Sequence, residues 1–466
     1  MMRRGQHPPM RCGGDFYKGT RHQLVVLAAF KDRKFKGDEN ETMQQWDKIF
    51  NAQNLSEKPF YGSIRDYFYA QSYGQFDVIF DLQYVQLNDS CKKYRSTKDE
   101  DENSQYLVDD ALDVLLTRDI DWSLYDWNGD GYINQLLFVF AGKGSSYGSF
   151  GGGYNTIWPH QWRLNEHYDL TTDDPIDYRD ARPVEWGGKT YIVDVYCAVQ
   201  ELGFDNSYSS FGTICHEYTH CFGFPDFYDY STKYVGYWDL MDYGNNTGNG
   251  FCPTSYSAHE RWLMQWLTPV ELKEPETITG MPPLSEEGKA YLIRNDDYPN
   301  EYYIVENRQP TSFDAKLPGA GVVIFHIDFD ESLWTSYVIA PNNDYVQHYV
   351  LFHANNKMTV TTDNQSGWAY PYQGNNSLTD TSQPKAELWH ARSDNTLLMS
   401  KPLTNIAVDS VGLASFDFMK DPSAIQTVER SADKAQRWFD LQGRQLQNRP
   451  LRKGLYIMEG RKVVIR

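Results

Sequence analysis

No apolar run in the 466 residues approaches the roughly 20 that a membrane-crossing helix needs, so the sequence offers no transmembrane segment. Positive charge is also in short supply. Lys and Arg number 44 against 63 Asp and Glu, a formal net charge of −19. That balance argues against nucleic acid and anionic membranes as partners and suits a soluble protein that uses divalent cations. Six cysteines are too few for a disulfide framework. Cys215 and Cys221 read as packing residues, and the spacing of Cys197 and Cys252 does not say whether they pair. No G-x-S-x-G elbow or comparable signature of a serine or cysteine nucleophile stands out. The first nine residues lack the apolar core of a signal peptide. The first apolar run, residues 24–30, is short, partly β-branched and flanked by charge, and reads as a buried strand.

The most informative stretch is His216-Glu217-Tyr218-Thr219-His220-Cys221-Phe222-Gly223-Phe224-Pro225-Asp226. On a helix, His216 and His220 share one face, a turn apart. Two imidazoles so placed grip Zn²⁺ at about 2.0–2.1 Å per bond. Glu217 sits beside the first ligand, positioned to take a proton from the attacking water. Gly223 permits positive φ and ends the helix, and Pro225 blocks its resumption. The chain can then double back and present Asp226 as third ligand. Two imidazoles and one carboxylate leave a fourth position open, as a catalytic zinc site requires. His259 reads as a surface or packing histidine.

This extended motif resembles the metzincin clan of zinc peptidases, with aspartate in place of the usual third histidine. The flanking Thr213-Ile214-Cys215 and Phe227-Tyr228-Asp229 resemble the immune-inhibitor-A family of secreted bacterial metallopeptidases. Gly62-Ser63-Ile64-Arg65-Asp66-Tyr67-Phe68, Ser72-Tyr73-Gly74-Gln75-Phe76, Ile157-Trp158-Pro159-His160 and Glu306-Asn307-Arg308-Gln309 also fit, so the likeness covers roughly residues 20–420. It implies a methionine turn beneath the metal, with Met241 of Trp238-Asp239-Leu240-Met241-Asp242-Tyr243-Gly244 as the turn residue. Tyr243 then matches the position from which some metzincins direct a phenol at the metal or the oxyanion. Relatives are secreted and usually carry a propeptide, so the chain is expected to begin inside or after one. Pro9-Met10-Arg11-Cys12-Gly13-Gly14-Asp15 resembles the switch segment of matrix metalloproteinases, in which a thiolate fills the open metal position.

A second metal loop reads from Asp126-Trp127-Asn128-Gly129-Asp130-Gly131-Tyr132-Ile133-Asn134. The D-x-N-x-D-G order aims alternate oxygens at one Ca²⁺. Asp126, Asn128 and Asp130 would supply side chains, Tyr132 its carbonyl, and Asn134 a direct or water-mediated contact. Position twelve is Leu137 rather than the bidentate Glu of an EF-hand, and a strand follows, so the expectation is a structural site.

Strand and helix patterns alternate up to the zinc motif. The fold class expected is α/β (α+β): a metzincin-like catalytic domain with a twisted mixed sheet and a zinc-binding helix, then a β-rich domain and a small β-type tail. The boundaries are 1–19 for a lead segment or propeptide remnant, 20–270 for the catalytic domain, 271–420 for the β-rich accessory domain and 421–466 for the tail. From about residue 425 the chain holds ten Lys/Arg against four Asp/Glu. With its short strands and a Glu459-Gly460 hairpin turn, this segment resembles the C-terminal sorting domain read by the type IX secretion system. The expected protein is a secreted or cell-surface zinc endopeptidase acting on proteins or peptides, with catalytic Zn²⁺ and structural Ca²⁺. Two rivals stand beside it: a zinc amidase acting on a non-protein amide, and a surface-binding protein with an inactive zinc site.

Overall fold

The computed structural model describes residues 13–95, 103–147, 156–164, 181–228, 235–334, 341–342, 347–357, 362–420, 438–439, 445–446, 454–458 and 461–465. Its backbone groups into two units, Met1–Lys420 and Asp421–Arg466.

The first unit opens on β1 (Gly19–Ala29), whose residues from Gln23 onward are buried. Coverage on both faces suits its unbroken apolar run. α1 (Glu39–Asn51) starts at a reciprocal cap between Asp38 and Glu41 and buries Trp46, Ile49 and Phe50. α2 (Ile64–Gln71) starts at the same device built from Ser63 and Asp66. Gly74, at φ +75°, turns the chain into β2 (Phe76–Gln86). α3 (Gln105–Leu115) and β3 (Leu136–Lys143) follow. Next come β4 (His160–Arg163), a hairpin of β5 (Arg182–Trp186) and β6 (Lys189–Val193), and β7 (Val195–Leu202). The hairpin closes on Gly187 and Gly188, both with positive φ, as a tight two-residue turn demands.

The sheet order is β2-β1-β3-β7-β4. The first four strands run parallel, and β4 runs antiparallel to β7 at the edge. The metal-motif helix α4 (Phe211–His220) packs against β7 and β4. α5 (Ala258–Leu263) is capped by Ser257 with Glu260.

Beyond it the unit is strand-rich: β8 (Val270–Glu271), β9 (Glu276–Met281), β10 (Ala290–Arg294), β11 (Glu301–Arg308), β12 (Gly321–Asp328), β13 (Tyr349–Leu351), β14 (Leu403–Val408) and β15 (Ala414–Phe418). They form two sheets, β13-β12-β11-β10-β8 and β14-β15-β9. One apolar core crosses Pro269, joining Leu27, Phe138 and Ile214 to Ile304, Phe325 and Trp334. A second core, including Ile278, Tyr303, Ile324 and Phe416, lies wholly beyond that point.

The second unit contains β16 (Trp438–Phe439), β17 (Gln445–Leu446), β18 (Gly454–Met458) and β19 (Arg461–Ile465) in the antiparallel order β17-β16-β18-β19. Met458 pairs with Arg461, and the Glu459-Gly460 turn between them lies outside the described residues. Among the described residues no helix is long and apolar enough to cross a membrane.

Candidate metal centre

α4 is buried on nearly every side, which is the behaviour of a core helix. Its polar side chains therefore need partners. Tyr218 donates to Gln23 Oε1 at 2.9 Å, and Thr219 donates to the Cys215 carbonyl at 2.7 Å. Gly212 lets the helix lie directly on the segment after Tyr243, since a Cβ there would stand 1.9 Å from the Asn245 carbonyl oxygen.

The two imidazoles sit with ring centroids 4.7 Å apart. His216 Nδ1 donates to the Leu240 carbonyl at 3.0 Å, and His220 Nδ1 donates to the Phe224 carbonyl at 2.7 Å. Each carbonyl holds a proton on Nδ1 and so turns Nε2 toward the position where a metal would bind. Gly223, at φ +99°, ends the helix, and the chain returns through Pro225. Asp226 Oδ1 then lies 3.1 Å from His216 Nε2 and 3.4 Å from His220 Nε2. That oxygen is buried and makes no hydrogen bond of acceptable geometry. Three donor atoms converging on one point, where an entering cation would displace a proton, are a cradle for a cation. Among the described residues, His216, His220 and Asp226 are also the one group of His, Cys, Asp or Glu side chains arranged to hold a metal ion. The donor set suits Zn²⁺.

Electrostatics agree with this. Burial disfavours the His216 imidazolium, but the Asp226 carboxylate outweighs burial and holds the group up at about 9. Asp226 is likewise desolvated, yet His220 and His216 hold its carboxyl well below the usual carboxylate range. A cation entering here displaces a proton. Glu217 is buried next to His216, and desolvation raises its carboxyl while the two histidines pull it down. His160 of edge strand β4 also acts on Glu217. Its Nδ1 faces the Trp158 carbonyl at 2.6 Å and its Nε2 the Tyr196 hydroxyl at 3.2 Å.

Met241 is fully buried. The backbone of its turn holds the ligand segments: the Leu240 carbonyl accepts from His216, and the Met241 carbonyl accepts from the Phe227 N–H at 2.9 Å. Asp239 shapes the turn by accepting from the Met241 N–H at 2.8 Å and from the Tyr349 hydroxyl at 2.8 Å. Behind it lies a buried ion cluster on β11. Arg308 pairs with Glu306 at 2.9 Å and with both oxygens of Asp314 at 2.8 Å, and reaches the Trp238 carbonyl. Glu306-Asn307-Arg308-Gln309, read from the sequence without a role, is thus a brace under the methionine turn.

The ring beside His216 is Tyr228, and Tyr243 packs on Tyr228. Tyr228 stacks on the His216 ring at 6.5 Å and meets the Tyr243 ring edge-on at 5.9 Å. The Asp226 charge raises the Tyr228 phenol far above its ordinary value. The sequence carried Tyr228 only within a matching tripeptide, because its nearness to the ligands depends on the turn after Gly223.

In the candidate calcium loop, Asp126 accepts the N–H groups of Gly129, Asp130 and Gly131 at 2.9, 3.2 and 3.0 Å. The Asn128 amide donates to Asp130 at 2.8 Å, and Asn134 Oδ1 accepts from the Trp127 N–H. Tyr132 bridges to Ile192 of the hairpin. Cys91, Cys197, Cys215, Cys221 and Cys252 are buried free thiols. Cys12 lies outside the described residues. His259 is fully buried, in the core rather than at the surface.

What the sheet and α4 hold together suits hydrolysis at a metal. Comparison with known sequences narrows this to peptidases: the family described as "Immune inhibitor A peptidase M6, catalytic domain" matches residues 24–268, and the chain belongs to it. Over 283 residues the chain is 27% identical to Immune inhibitor A of Bacillus thuringiensis subsp. alesti, covering 52% of this chain and 39% of that protein. Over 190 residues it is 30% identical to the pre-pro-metalloprotease PrtV of Vibrio cholerae serotype O1, covering 36% of this chain and 19% of that one. The match therefore spans well under half the length of either relative.

Proposed function

We propose that this chain is a secreted zinc endopeptidase in which His216, His220 and Asp226 hold the metal and Glu217 is the general base. The observation that carries the reading is the buried Asp226 oxygen, without a hydrogen-bond partner between two imidazole Nε2 atoms. Bound Zn²⁺ would polarise the scissile carbonyl and make water acidic near neutral pH. Glu217 takes the proton of the attacking water and returns it to the leaving amine. Tyr243 hydrogen-bonds the developing oxyanion, with Tyr228 packed between it and His216.

The finer parts of the reading rest on sequence. The metzincin-like character rests on the motif and Met241. Structural calcium at Asp126, Asn128, Asp130, Tyr132 and Asn134 rests on the D-x-N-x-D-G order. Secretion through a type IX sorting tail rests on the composition and strand pattern of residues 421–466. The division at 1–19, 20–270, 271–420 and 421–466 is kept as a proposal for the domains.

Glu217→Ala should still bind one zinc per chain and keep the wild-type circular dichroism, while casein hydrolysis drops by at least about 100-fold. Substantial residual cleavage removes Glu217 as the base. A wild-type protein that binds zinc but cuts no member of a denatured-protein panel would point to a non-protein amide instead.

A further inference from the structure

An open surface pocket of about 680 Å³ lies beside the methionine turn, and its lining includes none of His216, His220 and Asp226. Three separate segments build it: Lys58 and Tyr61, then Tyr237 with Asn246 and Asn249, then Lys316. The Lys58 ammonium lies 3.6 Å from the centre of the Tyr61 ring, and the Lys316 ammonium 5.8 Å from the same ring. Neither forms an ion pair with a carboxylate among the described residues, although acidic residues outnumber basic ones in this chain. The nearby acids are engaged elsewhere: Glu57 pairs with Lys48, and Asp314 with Arg308. Gly248, at φ +58°, lets the Lys316 stem lie on the loop, since a Cβ there would come within 3.2 Å of Lys316 Cγ. Two unneutralised ammonium groups share a concave, aromatic-floored space with two carboxamides, which is the chemistry of a carboxylate or phosphate site.

The cavity is tied to the metal centre. Tyr237 on its wall contacts the Tyr243 ring at 6.3 Å, Tyr243 contacts Tyr228 at 5.9 Å, and Tyr228 contacts His216 at 6.5 Å. An extended peptide advances about 3.3 Å per residue, so Tyr237 on the pocket wall is within about six residues' reach of the His216 ring. We propose that this cavity is a substrate subsite for an acidic side chain, with Lys58 and Lys316 as its charge-reading residues. The proposal rests on the peptidase reading above.

The test is a peptide set in which Asp or Glu replaces Asn or Gln, one position at a time, over six residues on each side of the cut. At one position the acid should raise kcat/KM about fivefold over the amide. In Lys58→Gln/Lys316→Gln that ratio should fall to near one, and continued cleavage of the amide peptides shows that the variant folds. No acidic preference at any position, or a preference that survives the double substitution, overturns the proposal. A second arm needs no turnover. Binding of the same peptides to Glu217→Gln, read by fluorescence polarisation, should favour the acid by a similar factor and lose that preference when both lysines are replaced. If the wild type cuts no peptide, the peptidase reading fails while this arm still decides the pocket. Inorganic phosphate that binds with full dependence on both lysines, while no acidic peptide is preferred, would assign the cavity to a free anion and also overturn the proposal.

Discussion

At Asp226 the difference between a carboxylate and a carboxamide has a measurable consequence. Its buried oxygen lies beside two imidazole Nε2 atoms, and only a negative oxygen donor completes a charge-compensated cradle for a divalent ion. Asp226→Asn keeps the shape and removes the charge. Loss of a partner that merely orients a ligand costs about 10–100-fold in metal affinity, so loss of a ligand's charge should cost about 100-fold or more. Competition against a chromogenic chelator measures this, and an unchanged zinc affinity would remove Asp226 from the ligand set. The convergence of His216, His220 and Asp226 was legible in the sequence because it is local: helical periodicity places the histidines, and a glycine and a proline dictate the return. The positions of Tyr228 and of Lys58 beside Lys316 were not legible, because no spacing rule links segments joined only by tertiary packing.

The metal-motif helix α4 depends on a neighbour that carries no chemistry. In isolation Gly212→Ala should stabilise a helix by about 1 kcal/mol. Here a Cβ would stand 1.9 Å from the Asn245 carbonyl oxygen and 2.9 Å from its carbon, both backbone atoms that cannot swing aside. Overpacking of that kind costs about 1–3 kcal/mol, so the clash wins over the propensity gain. Gly212→Ala should lower the urea midpoint and reduce zinc affinity, since α4 and the segment after Tyr243 must separate. A variant more stable than the wild type would show that the contact is loose. Elements with strong local signals were readable. Ser63 caps α2 through its side chain, as the N-cap rule demands, and Gly74 turns the chain three residues past the helix end. The hairpin at Arg182–Val193 was missed, since Arg182, Glu185 and Lys189 dilute its alternation and its Gly-Gly turn is a short signal. The role of β11 as a brace was also hidden, because Arg308 looks like a surface residue until its two carboxylate partners are placed beneath the turn.

Across the larger unit, strands dominate beyond residue 270, where the β-rich domain was expected to begin, yet buried side chains from both sides of that point pack in one core. His259 sits in that shared core, ringed by Trp262, Tyr302, Phe329, Trp334 and Tyr349. Its Nε2 has no hydrogen-bond partner, and burial pushes its pKa down to about 3. In an unfolded chain the same imidazole titrates near 6.5. Between those values the unfolded state binds a proton that the folded state refuses. The stability contributed by keeping His259 neutral is therefore complete above pH 6.5 and drains away as pH falls toward 3, at about 1.4 kcal/mol per unit. Buried acids such as Asp239, raised to about 6 by desolvation, act in the opposite sense over part of that window. The wild-type profile alone would mix the two. His259→Phe removes only the histidine term and suits the aromatic surroundings. Relative to the wild type, the variant should gain about 2 kcal/mol between pH 7.5 and pH 5, read from urea unfolding of the two proteins side by side. A difference between them that does not change with pH would mean that His259 takes up its proton without leaving the core.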